Sequence, residues 1–206
     1  GEEEQARVRL AVGCALLKLA RVGQLLRVEG TLGPLGWHTL GLLMHDPDVS
    51  VRADFAKKIT AEQLRVFQAD KKATKLGAPA PYLVTRSKGL PPHYTPLLAL
   101  AALDPDKENL KAAKAALCQL VARWRQAADK HNLPRVLPEA QLPWLIHTLA
   151  HHPDYEEEEA AMEDADGGDD DGEGSEGTLP SAQRCLDFYI NACLAGGANG
   201  FDLLRH

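Results

Sequence analysis

Three prolines, Pro47, Pro105 and Pro153, each interrupt an apolar run of helical spacing that resumes within a few residues, and nothing else in the chain restricts its fold so tightly. The stretches are MHDPDVSVRADFAKKI at 44–59, LALAALDPDKENLKAA at 98–113 and LIHTLAHHPDYEEEE at 145–159. A residue before proline is pushed out of helical backbone, so Asp46 and Asp104 should each end a helix. An aspartate there can also accept a hydrogen bond from the free amides of a first turn, and proline suits the first helical position because no donor is needed. The expectation is that one Asp-Pro dipeptide ends one helix and caps the next. His152–Pro153 keeps the proline and loses the acid.

The prolines stand 58 and 48 residues apart, near the period of about 40–47 residues of HEAT and armadillo helical hairpins. The longer gap holds a Pro- and Gly-rich stretch with Pro79, Pro81, Pro91, Pro92 and Pro96, which forbids a continuous helix and reads as an inserted loop at about 68–96. Helical hairpins cannot bury their apolar faces alone and stack into a curved solenoid. The fold class expected is therefore all-α, a fragment of a HEAT-repeat α-solenoid, with raw stacking faces at its ends. The chain opens on Gly1 and enters a helical pattern almost at once, which reads as a piece of a longer protein.

Helical periodicity is clear in two places. In ARVRLAVGCALLKLARV the residues Val8, Val12, Ala15, Leu16, Leu19 and Val22 recur every three or four positions and are expected to form the buried stripe. In KENLKAAKAALCQLVARW the corresponding set is Leu110, Ala113, Leu117, Leu120, Val121 and Trp124. Aromatics make up only 5% of the 206 residues, so the core must rest on Leu, Ala and Val, which suits helices better than a sheet.

The net charge of −6 conceals a division. Residues 155–177 hold 12 acidic side chains and no basic one, which leaves 23 basic against 17 acidic elsewhere. That acidic, low-complexity segment has little a core could bury and is expected to be a disordered linker. It would join repeats at 1–154 to a further helical segment at 178–206. A solvated spacer is the plain reading; a tail that competes with an anionic partner for the basic body is the sharper one.

Motifs for catalysis are missing. There is no GxSxG and no phosphate-cradling glycine loop, and Ser50, Ser87, Ser175 and Ser181 lack a paired base in recognisable context. His147 and His151 have the i, i+4 spacing of zinc ligands, but the glutamate of HExxH is absent and imidazole suits the last turn of a helix anyway. Neither a catalytic residue, a cofactor site nor a metal site is assigned. Cys14, Cys118, Cys185 and Cys193 form no CxxC pattern and read as core thiols of a reducing compartment.

A basic stretch offers more. Lys57, Lys58, Arg65, Lys71, Lys72, Lys75, Arg86 and Lys88 face only Glu62 and Asp70 over the same span, beside Phe67 and Tyr82. They are the candidate surface for an anion, DNA or a protein partner; a solvated helix face is the bland alternative.

The segments ARVRLAVGCALLKLA, VSVRADFAKKI, LALAALDPDKE, LPWLIHTLAHHPDY and CLDFYINACLAGGANGFDLLRH, in that order, resemble the HEAT-repeat region of the precocious-dissociation-of-sisters proteins, cohesin-associated regulators of sister-chromatid cohesion. LPWLIHTLAHHPDY carries the resemblance most specifically. It implies a non-enzymatic nuclear, chromosome-associated scaffold that binds the kleisin subunit of cohesin and works with the wings-apart-like release factor, with ties to chromosome segregation and recombination repair. It also assigns the two histidines to the repeat framework. The residues alone leave two other readings open: a transport-receptor or adaptor solenoid of HEAT or armadillo type, and a helical module that binds DNA or another anion.

Overall fold

A computed structural model describes residues 1–21, 39–75, 89–152 and 181–195, and all regular structure within them is helical. Five α-helices are bounded there: α1 (Glu2–Ala20), α2 (Val49–Lys75), α3 (Lys107–His131), α4 (Leu142–Ala150) and α5 (Ser181–Ala195). The fold is an all-α solenoid fragment. α1 packs on α2 and α2 on α3. Contacts fix the direction of the last pair: Asn109 at the start of α3 reaches the Val49 carbonyl at the start of α2, while Lys130 at its end meets Asp70. The two helices run parallel, as equivalent helices of successive hairpins must.

Between them threads a rod of different character. Pro92–Leu103 forms a 3-10 helix of 12 residues in which every residue from Tyr94 to Ala102 is buried. Runs of this geometry usually last about 3–4 residues. Here the sequence PHYTPLLALAAL has no polar face to present to water, and α2, α3, α4 and α5 all pack against it. Its two prolines withhold amide donors, Pro92 at the first position and Pro96 inside the run. Thr95 donates to Gln63 Oε1 at 3.0 Å, and Gln63 Nε2 donates to the Pro91 carbonyl at 2.9 Å, so the buried polar groups joining rod and α2 satisfy each other.

The Asp-Pro dipeptides stop helices as expected and do not start them. Asp46 (φ −53°, ψ 138°) and Asp104 (φ −63°, ψ 122°) leave the helical region directly before their prolines. The caps lie two residues later, a correction to the sequence reading. Asp48 accepts from the Ser50 amide at 2.8 Å and from its hydroxyl at 2.6 Å, and Asp106 accepts from the Asn109 amide at 2.8 Å. Pro47 and Pro105 sit in the turn ahead of these caps, and the first aspartate of each DPD is released for another task.

The stripe on α3 is buried nearly as its spacing predicts: Ala113, Leu117, Leu120, Val121 and Trp124 all lie in the core, and Leu110 at its start is half-buried. On α1 Leu16 packs partly buried against the core as expected, but the rest of the described stripe does not. Val8, Val12 and Leu19 are 57%, 53% and 47% exposed, and the buried face carries Ala6, Gly13, Leu17 and Ala20 instead. Close approach decides the choice. A Cβ on Gly13 would stand 2.2 Å from Leu43 Cδ1 and 3.2 Å from Phe55 Cε2, so α1 presents its smallest residues to the 3-10 turn Leu43–His45 and to α2. Val22 lies outside the described residues.

Gly89 is still tighter, because the obstacle is backbone. A Cβ there would meet the Glu62 carbonyl oxygen at 2.6 Å and the Val66 amide nitrogen at 2.8 Å, while the Leu90 amide donates to that same Glu62 carbonyl at 3.2 Å. Gly89→Ala should therefore cost about 1–3 kcal/mol, the usual range for overpacking. Urea denaturation of the variant checks this, and an unchanged midpoint would show that the entry to the rod can shift aside.

Of the span 68–96, residues 68–75 complete α2 and the rod begins at Pro92; residues 76–88 lie outside the described residues, as do the acidic segment 155–177 and residues 196–206.

Candidate protein-interaction site

Two features dominate the side-chain geometry, a ladder of ion pairs and a groove. The ladder uses the first aspartate of each DPD. Arg9 of α1 grips Asp46 with Nε at 2.6 Å and Nη2 at 2.9 Å, and Arg52 of α2 grips Asp104 with Nε at 2.9 Å and Nη2 at 3.0 Å. Both are two-pronged contacts between a planar guanidinium and a carboxylate, the strongest arrangement for such a pair. Arg52 also donates through Nη1 to the Asp46 carbonyl at 2.6 Å and the Pro47 carbonyl at 3.2 Å, so one side chain joins successive turns. Burial opposes ionisation of Asp104, but hydrogen bonds from Arg52, the Asp106 amide and Asn109 outweigh it and hold its pKa below the usual value. Asp46 is held low in the same way, against burial, by Arg9 and the Asp48 amide.

At the third position the ladder changes chemistry. His152, buried at the place of the aspartates, packs its ring edge-on to His45 with centroids 4.7 Å apart, and His45 Nε2 lies 3.0 Å from the Leu100 carbonyl.

The groove lies between the parallel helices α2 and α3 and has a volume of about 230 Å³. Its walls are mainly alanine, among them Ala53, Ala56, Ala61, Ala112 and Ala116. Arg52, Asp104 and Asn109 line one end, already bonded to each other. Lys57 stands on its rim, 3.1 Å from Asp54 on the exposed surface.

The eight basic residues of the candidate surface divide. Lys58 and Arg65 turn to Glu62, at 3.1 and 3.3 Å, and Arg21 joins them at 3.0 Å; the Glu62 carboxylate under this cover is fully buried. Lys57, Lys71, Lys72 and Lys75 are exposed along α2. Arg86 and Lys88 lie outside the described residues. The structure thus brings Lys58 and Arg65 together around an internal acid and leaves four lysines facing solvent.

His147 and His151 are edge-on neighbours with centroids 4.5 Å apart, and His151 Nδ1 lies 2.9 Å from the His147 carbonyl. Among the described residues no three His, Cys, Asp or Glu side chains gather as a metal site requires, and no helix is long and apolar enough to cross a membrane. All four cysteines are free thiols. Burial pushes the Cys193 thiol up to about 12, so it packs as an apolar group beside Tyr189, whose hydroxyl donates to the Pro138 carbonyl at 2.7 Å.

Parallel helices in register, tied turn to turn by arginine and separated by an open groove, define a helical-repeat solenoid. Residues 77–205 match the family described as Sister chromatid cohesion protein PDS5, and the chain belongs to that family. It is 28% identical to PDS5 homolog A of Danio rerio over 158 residues, 74% of this chain and 10% of that protein. Over 204 residues, 95% of this chain and 11% of the relative, it is 28% identical to PDS5 homolog B of Mus musculus. The human PDS5 homolog A is 26% identical over 159 residues. The chain spans about one-tenth of the length of these relatives.

Proposed function

We propose that this chain is part of a non-enzymatic scaffold that regulates cohesin on chromosomes, by holding segments of the kleisin subunit and of the wings-apart-like release factor. Family membership over residues 77–205 carries this reading, and the relatives' names place them in sister chromatid cohesion. The geometry supports a binding role: stacked helices present long grooves suited to a peptide segment of a partner. The same reading places the protein in the nucleus. In a pull-down, a longer protein containing this chain should retain a kleisin fragment and let an importin cargo pass. Retention of the cargo instead, or of neither, would overturn the proposal.

A further inference from the structure

We propose that the α2–α3 groove is a docking site for a segment of a partner protein that carries apolar side chains followed by acidic ones. The walls call for the apolar half. Ala53, Ala56 and Ala61 on one side and Ala112 and Ala116 on the other leave about 230 Å³ that a partner's aliphatic side chains can fill. The polar groups at the closed end ask nothing of a ligand, since Arg52, Asp104 and Asn109 are bonded among themselves.

Cations farther along the same faces call for the acidic half. With 3.6 residues per turn, the groove face of α2 continues from Ala53 through Lys57 and Thr60 to Lys71 and Lys75, and that of α3 from Asn109 through Ala112 and Ala116 to Arg123 and Lys130. The contacts Asn109–Val49 and Lys130–Asp70 set the register of the parallel helices, so Arg123 stands at the far end of the alanine section, Lys130 about level with Lys71, and Lys75 about one turn farther. Of the acids near the ends of the two helices, Asp70 is held by Lys130 at 2.9 Å and His131 at 3.1 Å, and the exposed Asp129 lies about 100° round α3 from the groove face. Lys71, Lys75 and Arg123 remain exposed, an unbalanced positive exit to an apolar groove. A peptide matches both parts; a nucleic-acid backbone matches only the second, for no aromatic ring lines the groove to stack on a base. Such docking is a property of the groove alone and does not depend on the identity of the cohesin partner.

The test is selection of displayed peptides, roughly 16 residues long, on the whole 206-residue chain. Selected sequences should combine aliphatic residues with an excess of Asp and Glu on one side. Ala61→Trp with Ala112→Trp, and separately Lys71→Glu with Lys75→Glu and Arg123→Glu, should each weaken a selected peptide by at least about tenfold. All five positions are exposed, so circular dichroism should stay at the wild-type value. Failure to select any peptide, no acidic excess, or indifference to the tryptophans would overturn the proposal. So would two further results. A tenfold gain in affinity (about 1.4 kcal/mol) when Glu156, Glu157, Glu158 and Glu159 are replaced by Ser would give the groove to the chain's own acidic segment. Duplex DNA that displaces the peptide and binds the tryptophan variant unchanged would give the basic face to nucleic acid.

Discussion

Asp104→Ala should destabilise the chain by about 3–5 kcal/mol, because deleting one partner of a buried pair strands the charge of the other. Arg52 is only 7% exposed and could not turn to water without giving up the Asp46 and Pro47 carbonyls it also holds. A second variant separates the loss of the pair from the stranding of the charge. Asp104→Leu combined with Arg52→Met should recover part of the stability, since apolar replacements of a buried pair are often neutral. Recovery stays incomplete because the two carbonyls lose their donor. Urea denaturation of the three proteins measures both steps; an Asp104→Ala midpoint equal to wild type would show that the ladder adds nothing.

Both aspartates of the ladder contribute to the acid limb. Asp46 and Asp104 titrate lower folded than unfolded, so their stabilising contribution is fully present above the unfolded carboxylate value of about 4 and fades as pH falls below it. Asp104→Ala should therefore lose less stability than wild type between neutral pH and pH 3.

Trp124→Ala is the other large effect, about 3–5 kcal/mol for emptying an indole from a packed core. Its ring meets Phe67 edge-to-face with centroids 4.7 Å apart, which ties α3 to α2 above the groove. The indole nitrogen is buried and has no hydrogen-bond partner among the described residues. Trp124→Phe should consequently cost much less than Trp124→Ala, since it removes an unmet donor along with some volume. Thermal denaturation of the two variants decides, and equal losses would mean that volume alone matters.

Much of this was legible in the residues. The stripe from Ala113 to Trp124 has a single apolar side, and its spacing identified the buried face. α1 carries two apolar sides, one of Val8, Val12 and Leu19 and one of Ala6, Gly13, Leu17 and Ala20, and hydropathy favours the bulkier. Packing favoured the smaller, because Leu43 and Phe55 come too close for anything larger at position 13. Each DPD offers two candidate caps, and proline chemistry alone points to the first. Arg52 comes six residues after Asp46, a spacing that only a turn folding back on its helix would use, and that signal was open to reading. Arg9 and Asp46 are 37 residues apart, and no local pattern joins them. Within the basic stretch, Lys58, Glu62 and Arg65 share one side of a helix, so their mutual pairing could have been anticipated. The third cation, Arg21, comes from a different helix and could not.

Arg52 fastens two consecutive bends at one edge of the stack, and the groove opens along the same pair of helices above it. The far side of that slot is fastened too, by the Phe67–Trp124 ring contact and by Asp70 with Lys130 and His131. A guest wedged among the alanines would thus load both fastenings at once, and a slot clamped at its two ends admits a side chain by local repacking before it admits one by splaying its helices.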